Sequence, residues 1–251
     1  MKEKAIFNWS GGKDSALCLH KIIQAQQYEV LCLLTTINKQ NQRVSMHGVR
    51  NGLLLQQTES IGIPLIQVPL SEISSMEDYE KAMMTTLKDL TAKGGKVSIY
   101  GDIFLEDVRA YREKKLSALN IRGLFPLWGI KTDKLIREFI DSGYKAIVTC
   151  TDDRYLDKSF AGRLIDHDFL HDLPRSVDPC GENGEFHSFV YDGLIFKKPI
   201  FFRKGTITYR KYPREEPEND AIADGETNTK DAGSAADHGF WYCDLLPETA
   251  G

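Results

Sequence analysis

Six residues near the start of the chain carry the clearest chemical signature: Ser10-Gly11-Gly12-Lys13-Asp14-Ser15, inside FNWSGGKDSALCLHKI. The apolar run ending at Trp9 reads as a strand and the amphipathic run from Ser15 as a helix, so the six form a strand-to-helix turn. That geometry suits phosphate. Gly11 and Gly12 let the backbone approach an anion and adopt positive φ. Free N–H groups and the dipole at a helix start favour negative charge. Ser10 and Ser15 offer hydroxyl donors, and Lys13 a point charge. Asp14 would repel phosphate directly, so its expected partner is a Mg²⁺ ion bridging to phosphate oxygens; this makes Asp14 both a catalytic and a metal-binding candidate. The spacing fits neither GxxxxGK[ST] nor GxGxxG.

Three further stretches hold candidate groups. In Ser45-Met46-His47-Gly48-Val49-Arg50, a cationic Arg50 in a first helical turn opposes the helix dipole, which points to another use such as an anion. His47 and Arg50 are substrate-binding candidates; a capping histidine and a solvated arginine are the plain alternative. In Tyr100–Arg112, Gly101 and Asp102 lie just past the carboxyl end of an expected strand, the edge at which open α/β sheets bind ligands. Asp102 is a catalytic candidate there, with Arg109 and Arg112 on the substrate side. Glu106, Arg109 and Glu113 also share one helix face, so a surface ion-pair ladder is equally available. In Asp178–Phe189, Glu182 and Glu185 flank an Asn183-Gly184 turn that would let them converge. Paired carboxylates bind Mg²⁺, hold an ammonium ion or act as base, and His187 beside them is a substrate-binding candidate. A polar hairpin loop is the alternative.

The SGGKDS turn resembles the signature SGGxDS of the ATP pyrophosphatase, or PP-loop, superfamily. The resemblance implies cleavage of ATP between its α and β phosphates: an acceptor oxygen is adenylated, pyrophosphate leaves, and a nucleophile displaces AMP. It also implies that Ser10, Gly11, Gly12, Asp14 and Ser15 grip the pyrophosphate portion, and that adenine rests near Leu34, Thr35 and Thr36 at the end of the second strand. Together with MHGVR, GDIFLEDVRAYRE, FPLW at Phe125–Trp128 and GENGEFHSFVYDGLIF, the turn is similar to the diphthine–ammonia ligase (diphthamide synthetase) family over about Met1–Arg203. That family amidates a carboxylate on a modified histidine of elongation factor 2, using ATP and ammonia. The implied cofactors are ATP and Mg²⁺. The implied partners are ammonia and an acceptor carboxylate on a protein or small molecule, which is elongation factor 2 in a true diphthamide enzyme. A homodimer stays open. Two other readings stand beside this one: a PP-loop tRNA-modifying enzyme, with Cys150 or Cys180 as sulfur carrier, and a non-catalytic module sensing ATP or AMP.

The elements that must position these groups alternate along the first 150 residues. Strands are expected at Ala5–Trp9, Val30–Thr36, Leu65–Val68, Val97–Tyr100, Gly123–Leu127 and Ala146–Cys150. Helices are expected at Ser15–Gln26, Val49–Ile61, Met76–Thr91, Leu105–Leu119 and Thr132–Ser142. The alternation predicts an α/β, doubly wound, mainly parallel sheet, which the resemblance makes adenine nucleotide alpha hydrolase-like. A smaller α+β region is expected over 151–212, with hairpin signals at Asp192-Gly193 and Lys204-Gly205. The stretch 213–238 is rich in Glu, Asp, Asn, Ala and Gly and reads as a flexible acidic linker. The aromatic segment 239–251 is expected to dock back on the body, because Phe240 and Trp241 would be costly to leave in water.

Net charge is −4, so no global field draws nucleic acid. No run approaches the roughly 20 apolar residues of a membrane span, so no membrane partner is expected. The five cysteines, Cys18, Cys32, Cys150, Cys180 and Cys243, are scattered without a CxxC, which argues against a disulfide framework or zinc site and for a cytoplasmic location.

Overall fold

A computed structural model describes residues 2–44, 47–71, 75–211 and 238–248. In chain order the elements are β1 (Glu3–Asn8), α1 (Lys13–Ala25), β2 (Tyr28–Asn38), β3 (Arg43–Val44), α2 (Asn51–Ile61), β4 (Leu65–Leu70), α3 (Met76–Ala92), β5 (Val97–Ile99), α4 (Glu106–Ser117), β6 (Arg122–Leu124), α5 (Thr132–Asp141), β7 (Lys145–Asp152), α6 (His167–Asp172), β8 (Phe186–Asp192), β9 (Phe202–Lys211) and β10 (Gly239–Pro247).

The first sheet is doubly wound. Its parallel strands run β4-β2-β1-β5-β6, and the two-residue β3 pairs antiparallel with the end of β2. The chain first builds outward from β1 through β2 to β4, then returns to β5 on the other side of β1. The winding therefore reverses between β1 and β5, and a crevice opens at their carboxyl ends. Alternation along β1 feeds both faces. Ala5 and Phe7 join a core shared with α1 and α2, whereas Ile6 packs with Leu87 of α3 and Leu116 of α4 on the other.

The second sheet is antiparallel, in the order β8-β7-β10-β9. Its residues Ile147, Val148 and Phe189 belong to the same core as Phe7 and Leu53, so the two sheets share one apolar interior. This sheet departs from the sequence expectations in three places. The Ala146–Cys150 strand, read with the parallel set, is β7 and pairs antiparallel with β8 and β10. Seven of its eight residues are buried, which gives it the continuous apolar run of a parallel strand although it is the covered centre of an antiparallel sheet. Asp192-Gly193 closes no hairpin: β8 ends there, and the partner of β9 is β10. Lys204-Gly205 is not a turn either, because β9 runs straight through it. The register instead shifts between Cys243 and Leu245, and Gly205 leaves room there, since a Cβ would lie 3.2 Å from the Asp244 carbonyl oxygen.

After β7 ends at Asp152, residues 153–179 form the 3₁₀ turn Lys158–Phe160 and the short α6. Of the expected linker, all but His238 lies outside the described residues. The C-terminal segment forms β10, with Cys243 and Leu245 in the core. Among the described residues no helix is long and apolar enough to cross a membrane.

Candidate functional site

The turn after β1 and the residues after β5 meet at the reversal point. There they line a cavity of about 720 Å³ together with the end of β2, His47, the 181–184 loop and the start of β8. Its wall includes Ser10, Gly12, Lys13, Asp14, Ser15, Leu34, Thr35, Thr36, His47, Gly101, Asp102, Arg112, Glu182, His187 and Ser188. Residues distributed over some 180 positions thus face one volume, within the ordinary range of small-molecule sites.

The turn is fixed from beneath. Gly11 has φ +79°, and a Cβ there would sit 2.8 Å from Gln57 Oε1, so both the angle and the space demand glycine. The Gly11 carbonyl accepts from Val190 N at 2.9 Å and from Gln57 Nε2 at 3.0 Å. Gln57, fully buried on α2, also accepts from Trp9 Nε1 and donates to the Val190 carbonyl. Ser188 of β8 accepts from Lys13 N at 3.2 Å, capping α1 where Gly12 has no side chain to do so. Ser10 Oγ accepts from Gly12 N and donates to Ser15 Oγ, which donates to the Gly12 carbonyl. The antiparallel sheet therefore holds the phosphate-type turn of the parallel one.

Lys13 is 3% exposed and runs down beneath the turn. Its Nζ donates to the Cys180 carbonyl, pairs with Asp14 Oδ2 at 2.8 Å and lies over the Phe186 ring. Burial works against its charge, yet Asp14 and the surrounding groups hold its pKa above the ordinary lysine value.

Three carboxylates face the cavity, and all three are pushed above the usual range. Burial is the main cause for Asp14, opposed by Lys13. Burial also raises Asp102, opposed by Arg112, whose Nη2 donates to Oδ1 at 3.3 Å. The Arg112 Nε lies 2.7 Å from Asp102 Oδ2 as an ion pair without hydrogen-bond alignment, and the guanidinium stacks over Tyr100. Glu182 is pushed up to about 7 by burial, with Asp14 and Asp102 adding repulsion, although one oxygen accepts from Ile103 N at 2.7 Å. Gly101 packs directly on α1: a Cβ there would sit 3.1 Å from the Asp14 backbone. Among the described residues no cluster of three or more His, Cys, Asp or Glu forms a ready metal centre. His47 and His187 lie with ring centroids 4.7 Å apart; burial lowers His47 to about 4 and holds His187 well below the usual range, so both are neutral at pH 7.

Other expected site residues stand elsewhere. Glu185 does not converge with Glu182. It is 1% exposed and accepts from Asp178 N, Asn183 N and Asn183 Nδ2, which commits both its oxygens to shaping the loop. Arg109 lies outside the cavity, over the Phe125 and Trp128 rings and paired with Glu113 at 2.9 Å, the ladder alternative. Arg50 does meet an anion, but it is Asp244 of β10: Nε and Nη2 take its two oxygens at 3.0 and 2.7 Å.

Two family matches cover most of the chain. Residues 1–121 match the diphthamide synthase N-terminal domain, and residues 131–212 match the diphthamide synthase C-terminal domain. The chain belongs to the diphthamide synthase family. Within the family, it is 26% identical to a protein named diphthine–ammonia ligase from Danio rerio, over 76% of this chain and 83% of that one. It is also 26% identical to the protein of that name from Mus musculus, over 76% and 79%. A solved chain described as a predicted subunit of tRNA methyltransferase from Methanocaldococcus jannaschii overlaps 78% of this chain and 99% of its own length, at 17% identity and a TM-score of 0.40. Both family matches stop short of β10.

Three supporting residues carried no local signal. Gln57 reads as one more polar position of an amphipathic helix, Ser188 as an outward strand residue, and Asp178 as a turn former. Asp178 Oδ2 accepts from Cys180 N and Glu182 N, so it sets the loop that presents Glu182. A buried polar residue beside a glycine-rich turn is recognisable only once the partner backbone is in place.

Proposed function

We propose that this member of the diphthamide synthase family is an ATP-dependent ligase that adenylates an acceptor carboxylate, releasing pyrophosphate, and amidates it with ammonia. The supporting observation is the shared cavity: a phosphate-type turn, Asp102 and Glu182 face one volume at the reversal point of the sheet. The first turn of α1 would bind the phosphates at its N-terminus, with the Ser10 and Ser15 hydroxyls exchanging their present bonds to each other and to the Gly12 carbonyl for phosphate oxygens. Asp14 and Asp102 are hard oxygen donors whose mutual repulsion a cation would relieve. They suit Mg²⁺ held jointly with phosphate oxygens, which would supply charge neutralisation on the leaving pyrophosphate.

The acceptor carboxylate oxygen attacks the α-phosphorus as the bond to pyrophosphate breaks. Ammonia then attacks the acyl carbon, AMP leaves, and a proton passes to a base. Glu182 fills that last role: its pKa of about 7 matches the working pH, and the Ile103 N–H fixes its direction. The names of the relatives favour diphthine on a protein as the acceptor. The sulfur-carrier reading loses support, because Cys150 and Cys180 are 1% exposed and burial raises both thiols, Cys150 to about 12.

Incubation with ATP, Mg²⁺, ammonium and elongation factor 2 carrying the unamidated residue should yield AMP and pyrophosphate in step with amide. ADP and phosphate as products would overturn the adenylation mechanism.

A further inference from the structure

Arg43 and Arg50, on either side of His47 in the sequence, are held by one carboxylate from the far end of the chain. Asp244 Oδ1 accepts from Arg43 Nη2 at 2.9 Å and Arg50 Nε at 3.0 Å, and Oδ2 accepts from Arg50 Nη2 at 2.7 Å. Those bonds keep Asp244 ionised, below the usual aspartate range. Arg43 Nη1 also donates to the Gly48 carbonyl at 2.6 Å, and Gly48 has φ +66° with a Cβ position 3.0 Å from the Tyr242 ring. Val44 and Val49 pair across the loop. Between those ends stands His47, whose Cε1 lies 3.1 Å from where a Cβ on Gly12 would be, and whose Nδ1 is 3.3 Å from the Ser188 carbonyl. None of Arg43, Arg50 or Asp244 lines the cavity that His47 faces.

We infer that β10, through Asp244, is a positioning element of the nucleotide cavity: it clamps Arg43 and Arg50 so that the loop presents His47 against the phosphate-type turn. A strand that both family matches leave out is then part of the site. The role belongs to the carboxylate and its two arginines, since two charge-assisted contacts to Arg50 and one to Arg43 fix the loop ends in direction as well as distance. The clamp is local, so its loss frees the loop while β10 stays paired with β7 and β9 through its backbone.

The test uses the full chain carrying Asp244→Asn. Two readings are taken: the titration of His47 by NMR, and the dissociation constant for ATP by calorimetry, with circular dichroism as the check on folding. Burial lowers His47 to about 4 in the parent chain, and in Asp244→Asn the value should move toward the ordinary 6.5 as the ring gains water. ATP should bind about 10-fold more weakly, the scale of losing about one hydrogen-bonded contact. An unshifted His47 overturns the clamp. A shifted His47 with unchanged ATP affinity overturns its role in the nucleotide cavity. The affinity arm rests on the ATP reading given above, whereas the His47 arm does not: a parent chain that binds no ATP, with His47 still shifted in the variant, sinks the ATP reading and leaves the clamp standing. Should Asp244→Asn fail to fold, Arg50→Lys keeps the charge, loses the two-pronged contact and takes the same two readings.

Discussion

The turn Ser10–Ser15 and the loop Asp178–Glu185 both reach the cavity, yet their polar groups are committed differently. The turn is pinned from behind, through the Gly11 carbonyl and the Lys13 N–H, which leaves the start of α1 turned toward the cavity. The loop is closed on itself: Asp178 and Glu185 accept five hydrogen bonds from the loop's own donors. Glu182 is the carboxylate left facing outward, at a proton affinity that burial has raised. One loop is anchored by its neighbours at the mouth of the cavity, and the other uses two carboxylates to present a third. Residue type alone does not separate a reacting carboxylate from a scaffolding one; the number of donors already satisfied does.

The largest effect should come from the turn. Asp14→Ala is expected to lower pyrophosphate release by about 10³-fold, the upper range for removing one preorganised charge contact. Pyrophosphate release at the parent rate in that variant would remove Asp14 from the chemistry and leave the turn a binding feature alone.

Next come the two glutamates, which sharpen the comparison within the loop. Glu182→Gln should slow amide formation by about 10²-fold while ATP–pyrophosphate isotope exchange persists. Glu185→Gln should lower the denaturation midpoint instead, since a buried acceptor of three hydrogen bonds is disturbed at about 1–3 kcal/mol. Glu185→Gln that keeps its stability but loses amidation would restore the converging pair. Glu182→Gln that loses isotope exchange in proportion would assign Glu182 to ATP.

The smallest effect is a pH limb. With Glu182 at about 7, amide formation should rise through neutral pH as the carboxylate ionises, and Glu182→Gln should flatten that limb. The stability contribution has the opposite sign. Between the ordinary value of 4.5 and about 7 the folded chain keeps a proton that the unfolded chain has released, so Glu182 lowers stability as pH rises across that window. Chemical denaturation between pH 4.5 and about 7, the span between the two values, should show the parent losing stability relative to Glu182→Gln. Parallel curves would place Glu182 at an ordinary carboxylate value.

Much of the first sheet was legible because its signals are local. The apolar runs and the SGGKDS turn each announce their structure within a few residues, and helices α1 to α5 lie where the periodicity puts them. The second sheet was less legible. β7 is apolar on both faces in either kind of sheet, so composition could not reveal its pairing. Lys204-Gly205 has turn chemistry, but β9 continues through it and carries the extra residue of an irregularity opposite Asp244. Asp192-Gly193 does end a strand, but β8 pairs with β7, and the next strand along the chain, β9, pairs with β10 instead.

The sequence by itself determined which chemistry the chain holds: a phosphate-type turn, an aspartate past a strand end, a carboxylate-rich loop, and their order along a doubly wound fold. Tertiary structure decided which of those groups remain available. Arg50 called for an anion, and the chain answered with Asp244, 194 residues away. Glu185 had the chemistry of a base and was closed off by Asp178 N and the Asn183 donors. Periodicity and turn chemistry act over one or two turns of backbone and can be read there. The commitment of a buried polar group depends on whichever distant donor folding brings within about 3 Å, and no local pattern records that meeting.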